Sequence, residues 1–236
     1  MTEPLRLIGF DGDDTLWKSE DYYRDTQLAF ERIVAGYVDL DDAHERLYAI
    51  EKRNIALFGY GVKGMTLSMI EAAVAITDAR ISALDLHRIV ELGKTLLQHP
   101  VDLLPGIREA VEAIAAEHEM VLITKGDLFH QEAKVRQSGL ADVFRRIEIV
   151  SEKDSATYAR VLSECDVAPA QFAMIGNSLR SDIVPVLELG GFGVYMPYHV
   201  TWAHENEAAL PADAAQRMRS VSSAQELPAV VRTLVC

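Results

Sequence analysis

Cysteine is almost missing from this chain. Cys165 and Cys236 are the only two in 236 residues, and neither sits in a CxxC pair or a Cys/His cluster. A disulfide framework and a zinc finger both need more, so a reducing compartment is expected. Positive charge is also scarce: 23 Lys and Arg face 36 Asp and Glu, a formal net charge of −13. Such a surface repels polynucleotide phosphate and anionic lipid, so neither a nucleic acid polymer nor a membrane is an expected partner. Long apolar runs are lacking too. The first, LRLIGF, stops at Asp11, and none approaches the ~18 residues needed to span a bilayer. With neither a secretory core nor a span, a cytoplasmic location is expected. No internal repeat or low-complexity tract interrupts the chain, and nothing in it speaks to oligomeric state.

What remains is an ordinary globular composition, 49% hydrophobic and 25% charged, with enough apolar material for a sizeable core. Five short runs of β-branched and large apolar residues stand out: LRLIGF (5–10), MVLIT (120–124), RIEIV (146–150), FAMIG (172–176) and GVYMP (193–197). Brief, near-continuous runs of this kind suit parallel strands covered on both faces. Between them lie amphipathic stretches. In GIREAVEAIAAEHE, Ile107, Ala110, Val111, Ile114 and Ala115 recur at helical spacing behind Pro105-Gly106, giving one face to pack on a sheet. In DSATYARVLSEC, Ala156, Ala159, Leu162 and Cys165 do the same behind a cap residue, Asp154 or Ser155, and Pro169 closes the unit. This alternation predicts an α/β fold, an open parallel Rossmann-like sheet with right-handed crossovers.

The first two runs are separated by roughly a hundred residues, where a simple crossover needs only ~10–12. The intervening segments, among them YYRDTQLAFERIVAGY, TLSMIEAAVAIT and SALDLHRIVELGKTLLQ, show apolar residues three and four apart and no alternation. They predict an α-helical cap over residues 17–99, inserted into a catalytic core formed by residues 1–16 and 100–236.

Chemistry-bearing residues sit where each predicted strand ends. The first runs straight into FDGDDTLW, with Asp11, Asp13, Asp14 and Thr15; the second ends at Thr124, followed by Lys125; the third is followed by Lys153; the fourth by Asn177 and Asp182. An Asp-rich turn is by itself unremarkable in a protein. Ligands of open α/β sheets, however, bind beyond the carboxyl ends of the strands, and four consecutive strand ends with carboxylate, hydroxyl, ammonium and amide groups form a pattern.

This ordered set resembles the haloacid dehalogenase superfamily. Its DxDxT motif is matched by Asp11, Asp13 and Thr15, its strand-end hydroxyl by Thr124, its lysine by Lys153, and its GDSxxxD motif by GNSLRSD from Gly176 to Asp182. A helical insertion after the first motif is also typical of that family. The resemblance implies a Mg²⁺-dependent phosphatase acting on a small phosphorylated metabolite. Asp11 would attack phosphorus and form an aspartyl phosphate, and Asp13 would serve as acid and base. Thr124, Lys125 and Lys153 would bind the substrate phosphate, while Asp11, the Asp13 main-chain carbonyl, Asn177 and Asp182 would surround the metal. These residue types suit the chemistry. A phosphate dianion repels an anionic nucleophile, so a cation must bring the two together, and a hard oxygen donor set selects Mg²⁺.

Asn177 departs from the family pattern, standing where an Asp is usual, and weaker metal binding is expected from it. Three further readings of the same resemblance are a carbon-halogen hydrolase, a phosphomutase and a non-catalytic phosphate-binding or regulatory protein. Asp13 speaks against the first, because a halide leaving group needs no acid. Other signals are set aside. GYGVKG (59–64) formally matches GxGxxG but follows a helical segment, so it is expected to be a cap loop, with Lys63 available to touch a substrate anion. His199 and His204 around Trp202 fit no zinc spacing. Gly190, Gly191 and Gly193 lead into the last strand, Pro185 bends or starts a helix, and DLDD (39–42) marks a helix start.

Overall fold

The structure is a computed structural model that describes residues 4–39, 42–200 and 209–234. Trp202, His204, Cys236, Leu40 and Asp41 therefore lie outside the described residues. The chain divides into two compact units: Met1–Glu20, Val101–Lys125 and Gln131–Cys236 form one, Asp21–Pro100 and Gly126–His130 the other.

The first unit is built on a six-stranded sheet, β1 (Leu7–Phe10), β2 (Glu119–Lys125), β3 (Arg146–Val150), β4 (Phe172–Gly176), β5 (Phe192–Tyr195) and β6 (Met218–Ser220). The strands run parallel in the order β3-β2-β1-β4-β5-β6. Alternate side chains serve opposite faces, as the pleat demands. Ile8 and Phe10 of β1 enter one apolar cluster with Ile107, Val111 and Ile114 of α5 (Ile107–Ala115) and Leu227 and Val231 of α10 (Leu227–Thr233). Leu7 enters another with Tyr158, Val161 and Leu162 of α7 (Ser155–Glu164) and Val186 of α8 (Val184–Glu188). Asp154 is the cap residue of α7, its side chain accepting from Thr157 N at 2.8 Å. Pro185 lies in the first turn of α8, where its missing N–H costs nothing.

Two features differ from the sequence expectation. β6 is an added edge strand of only three residues, too short to leave a periodic trace. β3 is the other edge, and there Ile147 stays 37% exposed, so this strand is not covered on both faces. One helix, α6 (Leu128–Ser138), carries no clear apolar stripe because its buried positions include His130, Gln131, Lys134 and Ser138.

The second unit is helical: α1 (Glu20–Val34), α2 (Ala43–Phe58), α3 (Val62–Ile76) and α4 (Ala83–Leu97). α3 is apolar nearly all round and packs against both α2 and α4, as expected of a helix buried on more than one side. Its Met65, Met69, Ala72, Ala73 and Ile76 meet Phe30, Leu47, Ile50, Ile89 and Leu96. Ser82 caps α4, accepting from Asp85 N at 3.0 Å. GYGVKG, expected as a loop, is one only over Gly59–Gly61, which link α2 to α3; Val62, Lys63 and Gly64 already form the first turn of α3, and no strand precedes the segment. The break falls after Glu20 and after Pro100, and the five residues 126–130 join the helical unit. Trp17, expected in the insertion, instead packs in the sheet unit's core at 1% exposure. No helix among the described residues is long and apolar enough to cross a membrane. The remaining helix, α9 (Ala214–Arg217), is a single turn before β6.

Candidate active site

The strand order creates a switch point between β1 and β4, because β1 connects onward to one side of the sheet and β4 lies on the other. Ligand sites in open α/β folds form at such a point. Asp11 lies there, just past β1, and its N–H continues the ladder by donating to Ile175 O at 2.9 Å. The backbone around it is crowded. A Cβ on Gly12 would fall 2.8 Å from the Trp17 ring and 3.1 Å from Thr124 Oγ1, and one on Gly176 would fall 2.2 Å from Asp182 Oδ2. Only glycine lets the tips of β1 and β4 approach their neighbours this closely.

Lys153 lies between two carboxylates. Its ammonium donates to Asp11 Oδ1 and, at 2.7 Å, to Asp182 Oδ1. All three residues are buried, Asp182 completely. Burial opposes the Lys153 charge, yet Asp11 and Asp182 outweigh it and hold the ammonium above its ordinary pKa. For Asp11 burial dominates and pushes the carboxyl up; Lys153 pulls it down, and Asp182 and Asp13 raise it again. One ammonium thus faces a surplus of carboxylate, a setting that favours a further cation. Asp182 is anchored from its other oxygen, which accepts from Ser178 N at 3.0 Å, on a π-turn over Leu179–Ile183.

Asn177 reaches the same place. In the orientation that satisfies hydrogen bonding, its amide nitrogen donates to Asp11 Oδ2 at 3.1 Å and to the Asp13 carbonyl at 3.2 Å. Turned over, the amide would set three oxygens against one another, which only a cation makes favourable. Thr15 Oγ1 lies 3.5 Å from Asp11 Oδ2 and, with the Asn177 amide turned over, 3.4 Å from its Oδ1. Among the described residues no three His, Cys, Asp or Glu side chains are placed to hold a metal by themselves. Any ion here must draw on amide and main-chain oxygen as well as carboxylate. That all-oxygen set fits Mg²⁺.

Asp13 points to a different set of partners. Its Oδ1 accepts from Trp17 Nε1 at 2.6 Å and Lys134 Nζ at 2.7 Å, and its Oδ2 from Gln131 Nε2 at 3.1 Å. Gln131 also donates to Thr124 Oγ1 at 2.7 Å. Lys125 is turned to Ser181 Oγ at 2.9 Å and lies 3.8 Å from Glu152. Sequence reasoning missed Trp17, Gln131 and Lys134. The available signal was a polar residue three positions before a lysine on the helix that follows Thr124, where both share a face.

Asp14 is the fourth carboxylate. It adopts φ +59°, a left-handed conformation that Asp tolerates, and accepts from Ser19 N at 2.8 Å and Glu20 N at 3.1 Å. It thereby satisfies amides that open α1. Burial, reinforced by Asp13, pushes its carboxyl up to about 8 despite these bonds. Lys63 lies in the helical unit, paired with Asp127 at 2.9 Å and 5.1 Å from the Phe129 ring centre.

Residues 5–187 match the haloacid dehalogenase-like hydrolase family. The chain belongs to that family. A haloacid dehalogenase-like family hydrolase from Xanthomonas campestris is 57% identical, with TM-score 0.88 over 98% of this chain and 92% of that one. A 2-haloacid dehalogenase from Pseudomonas syringae is 20% identical, with TM-score 0.64 over 97% of this chain and 98% of its own. The putative HAD-hydrolase YfnB from Bacillus subtilis, whose structure is bound to magnesium, is 15% identical, with TM-score 0.64 over 97% and 99%. The last two share the fold. No curated protein matches the chain. Hydrolases of this family generally use Mg²⁺, and the open parallel sheet of the haloacid dehalogenase fold is the one seen here.

Proposed function

We propose that the chain is a cytoplasmic, Mg²⁺-dependent phosphatase that hydrolyses a small phosphate monoester through an aspartyl phosphate on Asp11. The observation that carries this reading is Asp13: a second carboxylate two residues beyond the nucleophile, with a side chain 29% exposed where that of Asp11 is 10%. A carboxyl group at the rim can exchange protons with a leaving group and with water. A halide departs without one, so a dehalogenase would have no use for it.

In the first half-reaction an Asp11 oxygen attacks phosphorus in line, the bond from phosphorus to the ester oxygen breaks, and Asp13 gives its proton to the departing alkoxide. In the second, Asp13 takes a proton from water as that water attacks phosphorus and releases Asp11. Lys153 neutralises charge on Asp11 while Thr124 donates to a phosphoryl oxygen. Lys125, beside Thr124, adds positive charge at the same strand end. Asp11, the Asp13 carbonyl, Asn177 and Asp182 would hold Mg²⁺, which supplies charge neutralisation between two anions when bound. The helical unit, residues 21–100, would choose the leaving group, and the partner is a small phosphorylated metabolite rather than nucleic acid or membrane.

A panel of phosphorylated metabolites, assayed for phosphate release with Mg²⁺ and with chelator, tests this. Release that needs Mg²⁺ and falls on the order of 10⁴-fold or more in Asp11→Asn is expected. Halide release from 2-haloacids, without metal and without phosphate release, would overturn the reading.

A further inference from the structure

Gln131 and Lys134 sit three residues apart on α6, and both are buried, at 2% and 8% exposure. A buried ammonium and a buried amide are expensive unless their partners repay them, and an apolar residue of similar size would pack there at less cost. Their partners are the two groups that flank the reaction. Lys134 shares Asp13 Oδ1 with Trp17, while Gln131 bridges Asp13 Oδ2 and Thr124 Oγ1.

The bond to Thr124 has a directional consequence. A hydroxyl has one hydrogen and two lone pairs. Gln131 can only donate through its Nε2, so it occupies a lone pair and leaves the Thr124 hydrogen to point elsewhere. A phosphoryl oxygen requires a donor of that kind. At Asp13, three donors spread over two oxygens fix the carboxylate plane, which no single bond could do.

We propose that Gln131 and Lys134 are positioning residues, a clamp on one face of α6 that presents the Thr124 hydroxyl as a donor and holds the Asp13 carboxylate in one rotamer for proton transfer. The clamp rests on the phosphatase reading for its purpose and on its own contacts for its existence.

Gln131→Leu and Lys134→Met keep the volume and remove the donors. Each is compared with wild type on an aryl phosphate, whose leaving group needs little protonation, and on an alkyl phosphate, whose leaving group needs much. A misplacement of about 1 Å costs on the order of a hundredfold in rate, so kcat should fall about ten- to a hundredfold while KM moves less than about threefold. Lys134→Met should lose more on the alkyl than on the aryl ester, Gln131→Leu about equally on both, and Lys134→Arg should recover part of the loss. A merely structural role would lower Tm and leave this leaving-group difference flat.

Wild-type turnover with unchanged kcat in both variants overturns the clamp alone. A wild type that turns over no phosphate ester overturns the phosphatase reading instead. In that event, double-mutant cycles on Tm decide the clamp: Asp13→Asn with Lys134→Met, and Thr124→Val with Gln131→Leu. Non-additive shifts are expected, and additive ones overturn it.

Discussion

The two units treat charge in opposite ways. In the sheet unit Asp11, Asp14, Lys153 and Asp182 are all at most 7% exposed and hydrogen-bonded to one another or to main chain. In the helical unit the buried polar residues are Asn54, Ser68, Thr77 and, in the 126–130 segment, His130, and ion pairs lie toward solvent, as Arg53 with Glu71 does at side-chain exposures of 67% and 48%. A helical bundle held by Met, Leu and Ala needs no interior charge. Charge is buried where a reaction needs a low dielectric and fixed dipoles, and the cost is offset by the packing around it.

The contrast can be broken from its strongest side first. Lys153→Met leaves Asp11 and Asp182 facing each other without a counter-charge, and a loss of about 3–5 kcal/mol is expected. Urea denaturation measures it, and phosphate release should vanish with it. A loss below about 1 kcal/mol would mean that the buried triad is no more coupled than a surface pair.

Asp14 sharpens the same point through pH. Its folded pKa of about 8 stands above the unfolded value of 3.8. Between those limits the unfolded chain has released its proton and the folded chain keeps it, so stability falls as pH rises from about 4 to about 8. Denaturation midpoints in chelator should show that decline, and Asp14→Asn, with no proton to release, should make it shallower, the raised carboxyls of Asp11 and Glu51 supplying the remainder. An unchanged slope would place the proton elsewhere.

At Asn177, an Asp should tighten Mg²⁺ by about tenfold, roughly 1.4 kcal/mol, because a carboxylate replaces a neutral amide. Titration calorimetry reads this directly, and equal affinities would remove Asn177 from the ion's surroundings. The smallest effect belongs to the helical unit. Arg53→Ala removes an exposed pair and should cost less than about 1 kcal/mol in thermal unfolding, an effect that added salt should shrink.

The strand ends were readable because each motif is local. Asp11, Asp13 and Thr15 follow one apolar run, and Asn177 and Asp182 follow another, so short windows reveal them. The five longer strands were readable for the same reason, and β6 was not, since three residues carry no period. α6 was hidden by its polar buried face. Its buried face holds Gln131 and Lys134, and hydrophobic patterning cannot register a face that is buried for polar reasons. Trp17 looked like the start of the insertion, but its ring packs in the core and its Nε1 donates to Asp13.

Residue order alone determined the fold family, the strand tips and the acid, hydroxyl, lysine and amide that follow them, because these depend on neighbours within a few positions. Only the tertiary structure decided which carboxylate meets which cation. Lys153 goes to Asp11 and Asp182, and Lys134 goes to Asp13, across 142, 29 and 121 residues of chain. The physical reason is that a buried charge takes its meaning from whatever the packed strands and helices bring within about 3 Å of it, and that distance is set by the fold rather than by sequence separation.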